Sequence, residues 1–272
     1  MHSDLRQLQN IVQRAAIDTL LPRFNRVGHT IKADGSLLTE ADLACNDFLR
    51  KELDALLPGV NFLSEEMTTA EQRNIIGRSD EPFWCVDPLD GTSNFAAGVP
   101  IFGICAALIA DGQPQISVIC DPIRGEIFAA ERGNGAWINS RPLSIPEINF
   151  DLRHAIALVD FKRLSPGMRG LLASRPPYGS QRNVGSCAME WAWMASGRGH
   201  IYLHGGQRLW DLAAGVLILE EAGGYCQTLD GNSVFRPMLE PRSVLASPNR
   251  RLFKQWSDYL LGDAVGLCTA VH

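Results

Sequence analysis

The strongest constraint on the fold is a change of hydrophobic pattern near residue 147. From residue 99 to residue 143 the chain consists of short β-prone runs separated by turns, which predicts an antiparallel meander. Further along, strand-like segments alternate with helix-like segments, among them a helix near 166–174 and a short strand near 182–185, and this order predicts an α/β layer. The irregular stretch between the two patterns marks a candidate boundary. We therefore expect an α+β half, residues 1–147, and an α/β half, residues 148–272.

Local signals predict the first elements. Residues 3–21 carry apolar side chains at helical spacing, and Thr39 has the character of an N-cap for a second helix that follows a turn at Asp34-Gly35. The apolar run from Pro82 to Val86 predicts a buried strand.

Composition narrows the classes of partner. The chain has 272 residues, a formal net charge of −5 and no cluster of Lys and Arg, which argues against nucleic acid and membrane surfaces and favours a small molecule. Its seven cysteines form no CxxC pair, so we expect reduced, buried thiols. The chain has neither a membrane-length apolar run nor the pattern of a secretion signal, and we expect a cytoplasmic protein.

The motif DPLDGTSNF, residues 87–95, places two carboxylates and a predicted helix start in one short segment. Asp87 and Asp90 lie three residues apart across a turn, close enough to share a hard cation. Gly91 and Thr92 follow at a predicted helix start, where backbone N–H groups bind anions. The segment therefore suits a metal ion and a phosphate together. A plain Asp-Gly turn with an N-cap is the alternative explanation.

Further acidic residues have two explanations each. Asp42, in the first turn of a predicted helix, is either a helix-dipole partner or a site residue. Asp211 is either an N-cap or a metal ligand. The adjacent Glu65 and Glu66 repel each other, so they are either exposed or linked by a cation.

Taken together, these motifs resemble those of a known protein family. The segments LTEAD, SEE, DPLDGTSNF, VGS and WDLAAG with EEAGG resemble, in order and approximate spacing, the inositol monophosphatase family of metal-dependent phosphomonoesterases. They span residues 38–42, 64–66, 87–95, 184–186 and 210–224. The resemblance implies a layered α-β-α-β-α sandwich, Mg²⁺ dependence, inhibition by Li⁺ and a homodimer.

The resemblance also implies roles for single residues. Two to three Mg²⁺ ions would be bound by Glu65, Asp87, the Leu89 carbonyl, Asp90 and Asp211, with Asp87 bridging two of them. Carboxylates converging in this number without cations would repel strongly. The Gly91 and Thr92 amides would receive the phosphate. The attacking water would be oriented by Asp42, Thr39 and the Thr92 hydroxyl, with Glu65 beside it.

The predicted substrate wall differs from the family pattern. His204 stands where inositol-hydrolysing members carry a Glu, and His200 replaces a usual Asp. With Ser186 and Arg208, His204 would form a wall rich in donors and positive charge, suited to a second anionic group on the substrate. Alternatively, both histidines are structural or face solvent.

Several functions follow from these residues. The first is Mg²⁺-dependent hydrolysis of a small phosphate monoester, inositol-1-phosphate or a related sugar or polyol phosphate. The alternatives within the same chemistry are fructose-1,6-bisphosphate, a 3′-phosphonucleotide, NADP and histidinol phosphate. A regulatory binding protein that retains the fold is an alternative of another class.

Overall fold

A computed structural model describes residues 3–26, 28–31 and 37–268 of the chain. The helices in these ranges are α1 (Ser3–Ala15), α2 (Glu40–Leu56), α3 (Thr69–Ile76), α4 (Thr92–Ala96), α5 (Pro166–Ser174), α6 (Cys187–Ala195), α7 (Leu209–Glu221) and α8 (Arg250–Cys268). A π-helical turn, Ala16–Leu20, continues α1, and short 3₁₀ turns occupy Leu152–His154 and Phe161–Arg163. In the described ranges, no helix combines the length and the apolar character that crossing a membrane requires.

The strands form two large sheets and one small one. They are β1 (His29–Ile31), β2 (Leu37–Thr39), β3 (Asn61–Ser64), β4 (Phe83–Asp90), β5 (Gly103–Ala110), β6 (Gln113–Asp121), β7 (Glu126–Glu131), β8 (Gly135–Ile138), β9 (Arg141–Pro142), β10 (Ile156–Asp160), β11 (Ser180–Arg182), β12 (Ile201–Gln207), β13 (Tyr225–Gln227) and β14 (Arg242–Ser247). One sheet has the order β3-β4-β5-β6-β7-β8-β9, another the order β11-β10-β12-β14-β13, and β1 pairs with β2.

The predicted meander is confirmed, because each strand from β4 to β9 pairs antiparallel with the next. The predicted alternation of strands and helices is also present. It produces a mixed sheet in which β11, β10 and β12 are parallel and β14 and β13 are antiparallel.

Three hydrophobic clusters show how the sheets and helices are layered. One packs α1 and α2 against the outer face of the seven-stranded sheet, and another packs α5 and α8 against the outer face of the five-stranded sheet. Between the sheets lie α6 and α7, whose side chains contact both. The predicted α-β-α-β-α sandwich is therefore confirmed.

The strand pattern explains this layering. In β4, Trp84 and Val86 belong to the cluster with α1 and α2, whereas Phe83 and Cys85 face the central layer. This alternation follows from the two-residue period of a strand with both faces covered. In the central layer, a Cβ on Gly215 would lie 2.1 Å from Cγ of Trp191, so only glycine permits this approach of α7 to α6.

Some predicted boundaries need correction. The strand predicted to end at Val86 runs on to Asp90, so the first part of DPLDGTSNF is strand and not loop, although its pairing with β5 is irregular between Asp87 and Asp90. The short strand expected near 182–185 lies at Ser180–Arg182. The turn predicted at Asp34-Gly35 falls outside the described residues.

Six of the seven cysteines are free thiols in the structure. Four of them, Cys45, Cys85, Cys105 and Cys120, are buried as predicted. Cys187 and Cys226 are partly exposed, which the sequence did not indicate.

Candidate active site

Three carboxylates from distant parts of the chain meet at the end of β4. Asp87 and Asp90 come from β4, and Asp211 comes from the first turn of α7. One oxygen from each lies within 4.8 Å of the others. Asp87 and Asp90 are only 1% and 7% exposed, so these charges meet largely out of water.

The carboxylates of this cluster repel one another, and protonation or a bound cation would relieve the repulsion. Burial, followed by the charges of Glu65, Asp90 and Asp211, raises the pKa of Asp87 well above its usual range. Burial and then the charges of Asp90 and Glu65 raise the pKa of Asp211 in the same way. Glu65 therefore adds a fourth negative charge beside the cluster. An all-oxygen donor set whose charges repel one another fits a hard divalent cation such as Mg²⁺.

Asp90 is held by the start of α6. The Ser186 hydroxyl and the Ala188 N–H, at 2.9 Å, donate to Oδ2 of Asp90, and the Cys187 N–H donates to Oδ1 at 3.2 Å. Although burial raises the pKa of Asp90, these donors act in the opposite direction. Ser186, predicted for the substrate wall, thus contacts a metal-ligand candidate. The two amides were not predicted, and the only sequence signal for them is Ser186 as an N-cap.

A second polar group joins the starts of α2 and α4. Oδ2 of Asp42 accepts hydrogen bonds from the Thr39 N–H at 2.7 Å and the Thr39 hydroxyl at 2.6 Å. Oδ1 of Asp42 lies 3.1 Å from the Thr92 hydroxyl, which is also 3.0 Å from the Leu89 carbonyl oxygen. The three residues predicted to orient water are therefore in contact beside β4.

The turn between β4 and α4 depends on glycine. Gly91 has a φ of 87°, in the left-handed region, and a Cβ there would lie 3.1 Å from the Ile101 carbonyl oxygen and 3.2 Å from Cβ of Ser186. Next to it, Nδ2 of Asn94 donates to the carbonyl oxygens of Ile101 and Val184, at 2.8 Å each. Asn94 therefore ties α4 to the segment that holds Asp90, a role the sequence did not reveal.

In the predicted substrate wall, His204 is hydrogen-bonded to neighbouring residues of the protein. His204 is 4% exposed, its Nδ1 accepts from the Gly206 N–H at 3.1 Å, and its Nε2 lies 3.4 Å from Oδ2 of Asp160. The Gly206 contact places the ring proton on Nε2, facing Asp160. Partial burial alone would raise the pKa of Asp160. The hydrogen bond from His204 acts against this effect, and the pKa is held below its usual range. Asp160 was not predicted.

The other two candidates of that region, Arg208 and His200, contact different residues. Arg208 is exposed, and its guanidinium donates to the Leu239 carbonyl oxygen at 3.0 Å. His200 precedes β12, accepts from the Ile156 N–H at 2.9 Å and packs edge-on against Phe150. Of the two histidines, His200 therefore has the structural role.

Within this layered fold, a buried acidic cluster thus lies beside the start of α4. The chain belongs to the inositol monophosphatase family, whose sequence model matches residues 2–260. This membership supports a phosphatase.

The chain is similar to proteins that carry different names. The chain is 34% identical over 222 residues to an inositol-1-monophosphatase of Mesorhizobium japonicum, covering 80% of each chain. It is 33% identical over 220 residues to the Nus factor SuhB of Xylella fastidiosa, covering 78% of this chain and 77% of the relative. Among solved structures, the extragenic suppressor protein suhB of Bartonella henselae superimposes with a TM-score of 0.83 at 27% identity, covering 95% and 98% of the two chains.

Proposed function

We propose that this protein hydrolyses a small phosphate monoester with Mg²⁺, and that the substrate is inositol-1-phosphate or a related polyol phosphate. The observation that carries the proposal is the meeting of Asp87, Asp90 and Asp211 within 4.8 Å, beside the start of α4. The family membership, through residues 2–260, supports the same chemistry.

The ions would be bound by Glu65, Asp87, the Leu89 carbonyl, Asp90 and Asp211. Bound there, Mg²⁺ supplies positive charge for the phosphate and for the leaving oxygen, and it acidifies water. Asp90 would face both an ion and the donors of α6. Carbonyl and carboxylate oxygens, with no nitrogen or sulfur among them, match the preference of Mg²⁺.

The Thr39–Asp42–Thr92 group would orient the nucleophile. A hydroxyl has one proton, so Thr92 donates either to Asp42, at 3.1 Å, or to the Leu89 carbonyl oxygen, at 3.0 Å. A Leu89 carbonyl that held a cation would be the weaker acceptor, which would favour donation of the Thr92 proton to Asp42. The Thr92 oxygen then has lone pairs free to accept a hydrogen bond from the attacking water. Glu65, beside the same cluster, is the candidate acceptor of its proton.

The phosphate would lie against the first turn of α4. Gly91 and Thr92 begin that turn, where helical N–H groups lack acceptors within the helix. Gly91 suits this turn because its φ is 87° and a Cβ there would lie 3.1 Å from the Ile101 carbonyl oxygen. A fixed set of amides stabilises charge without reorganising during the reaction.

The reaction is tested by measuring phosphate release from a panel of monoesters. The panel contains inositol-1-phosphate, fructose-1,6-bisphosphate, histidinol phosphate, a 3′-phosphonucleotide and NADP. We expect release that requires Mg²⁺, stops with a chelator and falls with Li⁺. Hydrolysis that continues undiminished in the chelator would contradict the proposal.

His204 is the candidate for selecting the alcohol portion of the substrate. Its ring nitrogens are engaged by Gly206 and Asp160, so it offers a fixed, polar wall and not a free positive charge. This favours a polyol over a substrate with a second anionic group. We expect His204→Ala to change the ranking of the panel, while His154→Ala, at an exposed position, leaves it unchanged. An unchanged ranking in His204→Ala would remove His204 from the wall.

A regulatory role is the second candidate function. It is favoured by one observation, the 33% identity to a protein named Nus factor SuhB. Asp90→Asn separates the two candidates. A catalyst loses nearly all turnover in this variant, whereas a role that depends only on binding a macromolecular partner survives.

A further inference from the structure

Four buried polar side chains form a hydrogen-bonded network that connects helix α6 and strand β12. Nε1 of Trp191 donates to Oε1 of Gln207 at 3.0 Å, Nε2 of Gln207 donates to the Tyr202 hydroxyl, and that hydroxyl donates to Oε2 of Glu190 at 2.8 Å. Glu190 is 2% exposed and the other three are fully buried. Burying a polar group costs free energy unless it is hydrogen-bonded. Each side chain of this network must therefore keep its partner.

The direction of these hydrogen bonds is fixed by chemistry. An indole nitrogen can only donate, so the Trp191 contact requires the amide oxygen of Gln207 to face it. The amide nitrogen of Gln207 must then donate to Tyr202, whose own proton can go only to Glu190. Glu190 also accepts from the Val184 N–H, through Oε1 at 3.4 Å. Both of its oxygens accept when the carboxylate is ionised, and burial raises the pKa of Glu190 to about 8.

Two members of this network, Glu190 on α6 and Gln207 on β12, lie next to different metal-ligand candidates. On one side, Glu190 and its partner Val184 flank the Ser186 turn, whose hydroxyl and following amides hold Asp90. On the other side, Gln207 directly precedes Arg208, whose N–H donates to Oδ2 of Asp211 at 2.8 Å. The buried bonds thus connect the segment that holds Asp90 to the segment that holds Asp211.

We propose that Glu190, Tyr202 and Gln207 form a positioning network that sets the separation of Asp90 and Asp211 and thereby the affinity for the divalent ion. The proposal rests on the proposed function, in which these two carboxylates bind Mg²⁺. None of the three network residues has to touch an ion or the substrate. Outer residues that orient metal ligands alter metal affinity by about 10- to 100-fold when they are removed.

The test removes one hydroxyl from the middle of the network. Tyr202→Phe leaves the amide nitrogen of Gln207 and Oε2 of Glu190 without their partner, while the ring keeps its packing. The matched control is Tyr259→Phe, which removes a hydroxyl that donates to the Arg175 carbonyl oxygen on the outer layer. For each protein, calorimetric titration gives the dissociation constant of Mn²⁺, and unfolding gives the midpoint temperature without metal.

A positioning role and a purely structural role predict different results. We expect Tyr202→Phe to weaken Mn²⁺ binding about 10- to 100-fold and to raise the Mg²⁺ concentration needed for half-maximal turnover. Tyr259→Phe should lower the midpoint temperature without changing the Mn²⁺ constant. A Mn²⁺ constant equal to that of the wild type in Tyr202→Phe would overturn the network.

A second variant keeps the test decisive if Tyr202→Phe does not fold. Glu190→Gln keeps the shape of the side chain but places an NH₂ group against one of its two donors, Tyr202 or Val184. We expect weaker Mn²⁺ binding there as well, and an unchanged constant would again overturn the proposal.

Failure of the network and failure of the proposed function give different patterns. If the wild type hydrolyses no ester while Tyr202→Phe still weakens Mn²⁺ binding, the phosphatase proposal is wrong and the network stands. If the wild type hydrolyses an ester and Tyr202→Phe binds Mn²⁺ normally, the network is wrong and the phosphatase stands.

Discussion

Single residues of the acidic cluster trade stability for function, and Asp87 is the clearest case. Burial and the neighbouring carboxylates raise its pKa well above the usual range. A carboxyl whose pKa is higher in the folded state than in the unfolded state destabilises the fold increasingly as pH rises from the unfolded value toward the folded one. At neutral pH the metal-free protein therefore bears this cost.

Asp87→Asn should relieve that cost and abolish function. The amide oxygen can still accept from the Leu89 N–H, now 3.0 Å from Oδ1, so the local turn is retained. We expect a higher unfolding midpoint for the metal-free variant near neutral pH, and Mg²⁺-dependent turnover reduced at least about 100-fold. Asp47→Asn, on the exposed face of α2, is the control and should change neither quantity. Equal midpoints for Asp87→Asn and the wild type would show that the cluster is not strained without metal.

Glu190 gives a second pH dependence, with a defined window. Burial raises its pKa from 4.5 to about 8, so between these values the folded protein holds a proton that the unfolded chain has released. Stability attributable to Glu190 is therefore lost as pH rises from 4.5 to about 8, by at most about 1.4 kcal/mol per pH unit, and is constant above that range.

Glu190→Gln removes this titration. We expect the difference in unfolding free energy, variant minus wild type, to rise with pH through the window and then level off. The hydrogen bond lost by the variant shifts the whole curve without changing its slope. Chemical denaturation of both metal-free proteins at several pH values measures the difference, and a flat difference would contradict the pKa of Glu190.

At the scale of elements, two helix starts of the same design have different roles. Thr39 caps α2 and Thr68 caps α3, each within a capping box completed by Asp42 or Glu71. Replacing either threonine by alanine should cost about 1 kcal/mol, because one helical N–H loses its acceptor. Only at α2 does the carboxylate of the box also contact Thr92 of the site.

Thr39→Ala and Thr68→Ala therefore form a matched pair. We expect similar falls in the unfolding midpoint, whereas turnover should fall about tenfold or more in Thr39→Ala alone, because Asp42 loses a donor that orients it. Unfolding and phosphate release on both proteins provide the comparison. If turnover falls equally in both, the box at α2 is structural only.

Elements specified by short-range signals could be predicted from sequence. The cap at Thr39 and the start of α5 at Pro166 depend on neighbouring residues alone, and both were predicted at the observed places. The extension of β4 to Asp90 could not be predicted in this way. Pro88 and the Asp90-Gly91 step indicate a turn, yet Asp90 pairs with Gly103 on β5, which is a tertiary contact.

Contacts within the site likewise depend on tertiary structure and could not be predicted from local sequence. Asp160 and His204 are opposite one another in register on the parallel strands β10 and β12, so their contact depends on strand order and not on spacing in the sequence. The meeting of Asp211 with Asp87 was expected only through the family resemblance, since neither helix nor strand periodicity relates the two residues. The contacts of Asn94 with Val184 and of Glu190 with Tyr202 became visible only in the packed structure.

At the scale of the whole molecule, the site lies where two layers meet. Asp87 and Asp90 belong to the seven-stranded sheet, while Asp211 and the donors to Asp90 belong to helices of the central layer. A bound divalent ion would therefore join parts of the fold that the metal-free protein holds together against mutual repulsion of its carboxylates. Ion binding and folding should be thermodynamically linked.

Mg²⁺ should accordingly raise the unfolding temperature in a concentration-dependent way. For a ligand that binds only the folded state, the gain is about 2.7 kcal/mol at 100 times the dissociation constant. We expect this rise in the wild type and its loss in Asp211→Asn, because that variant removes the ligand supplied by α7. The control Asp258→Asn alters an exposed ion pair with Lys254 and should respond as the wild type does. Unfolding is followed at fixed ionic strength, with NaCl replacing MgCl₂, so that general screening is excluded. If Asp211→Asn is stabilised by Mg²⁺ as much as the wild type, the ion does not link the sheet to α7 and the proposed ligand set is wrong.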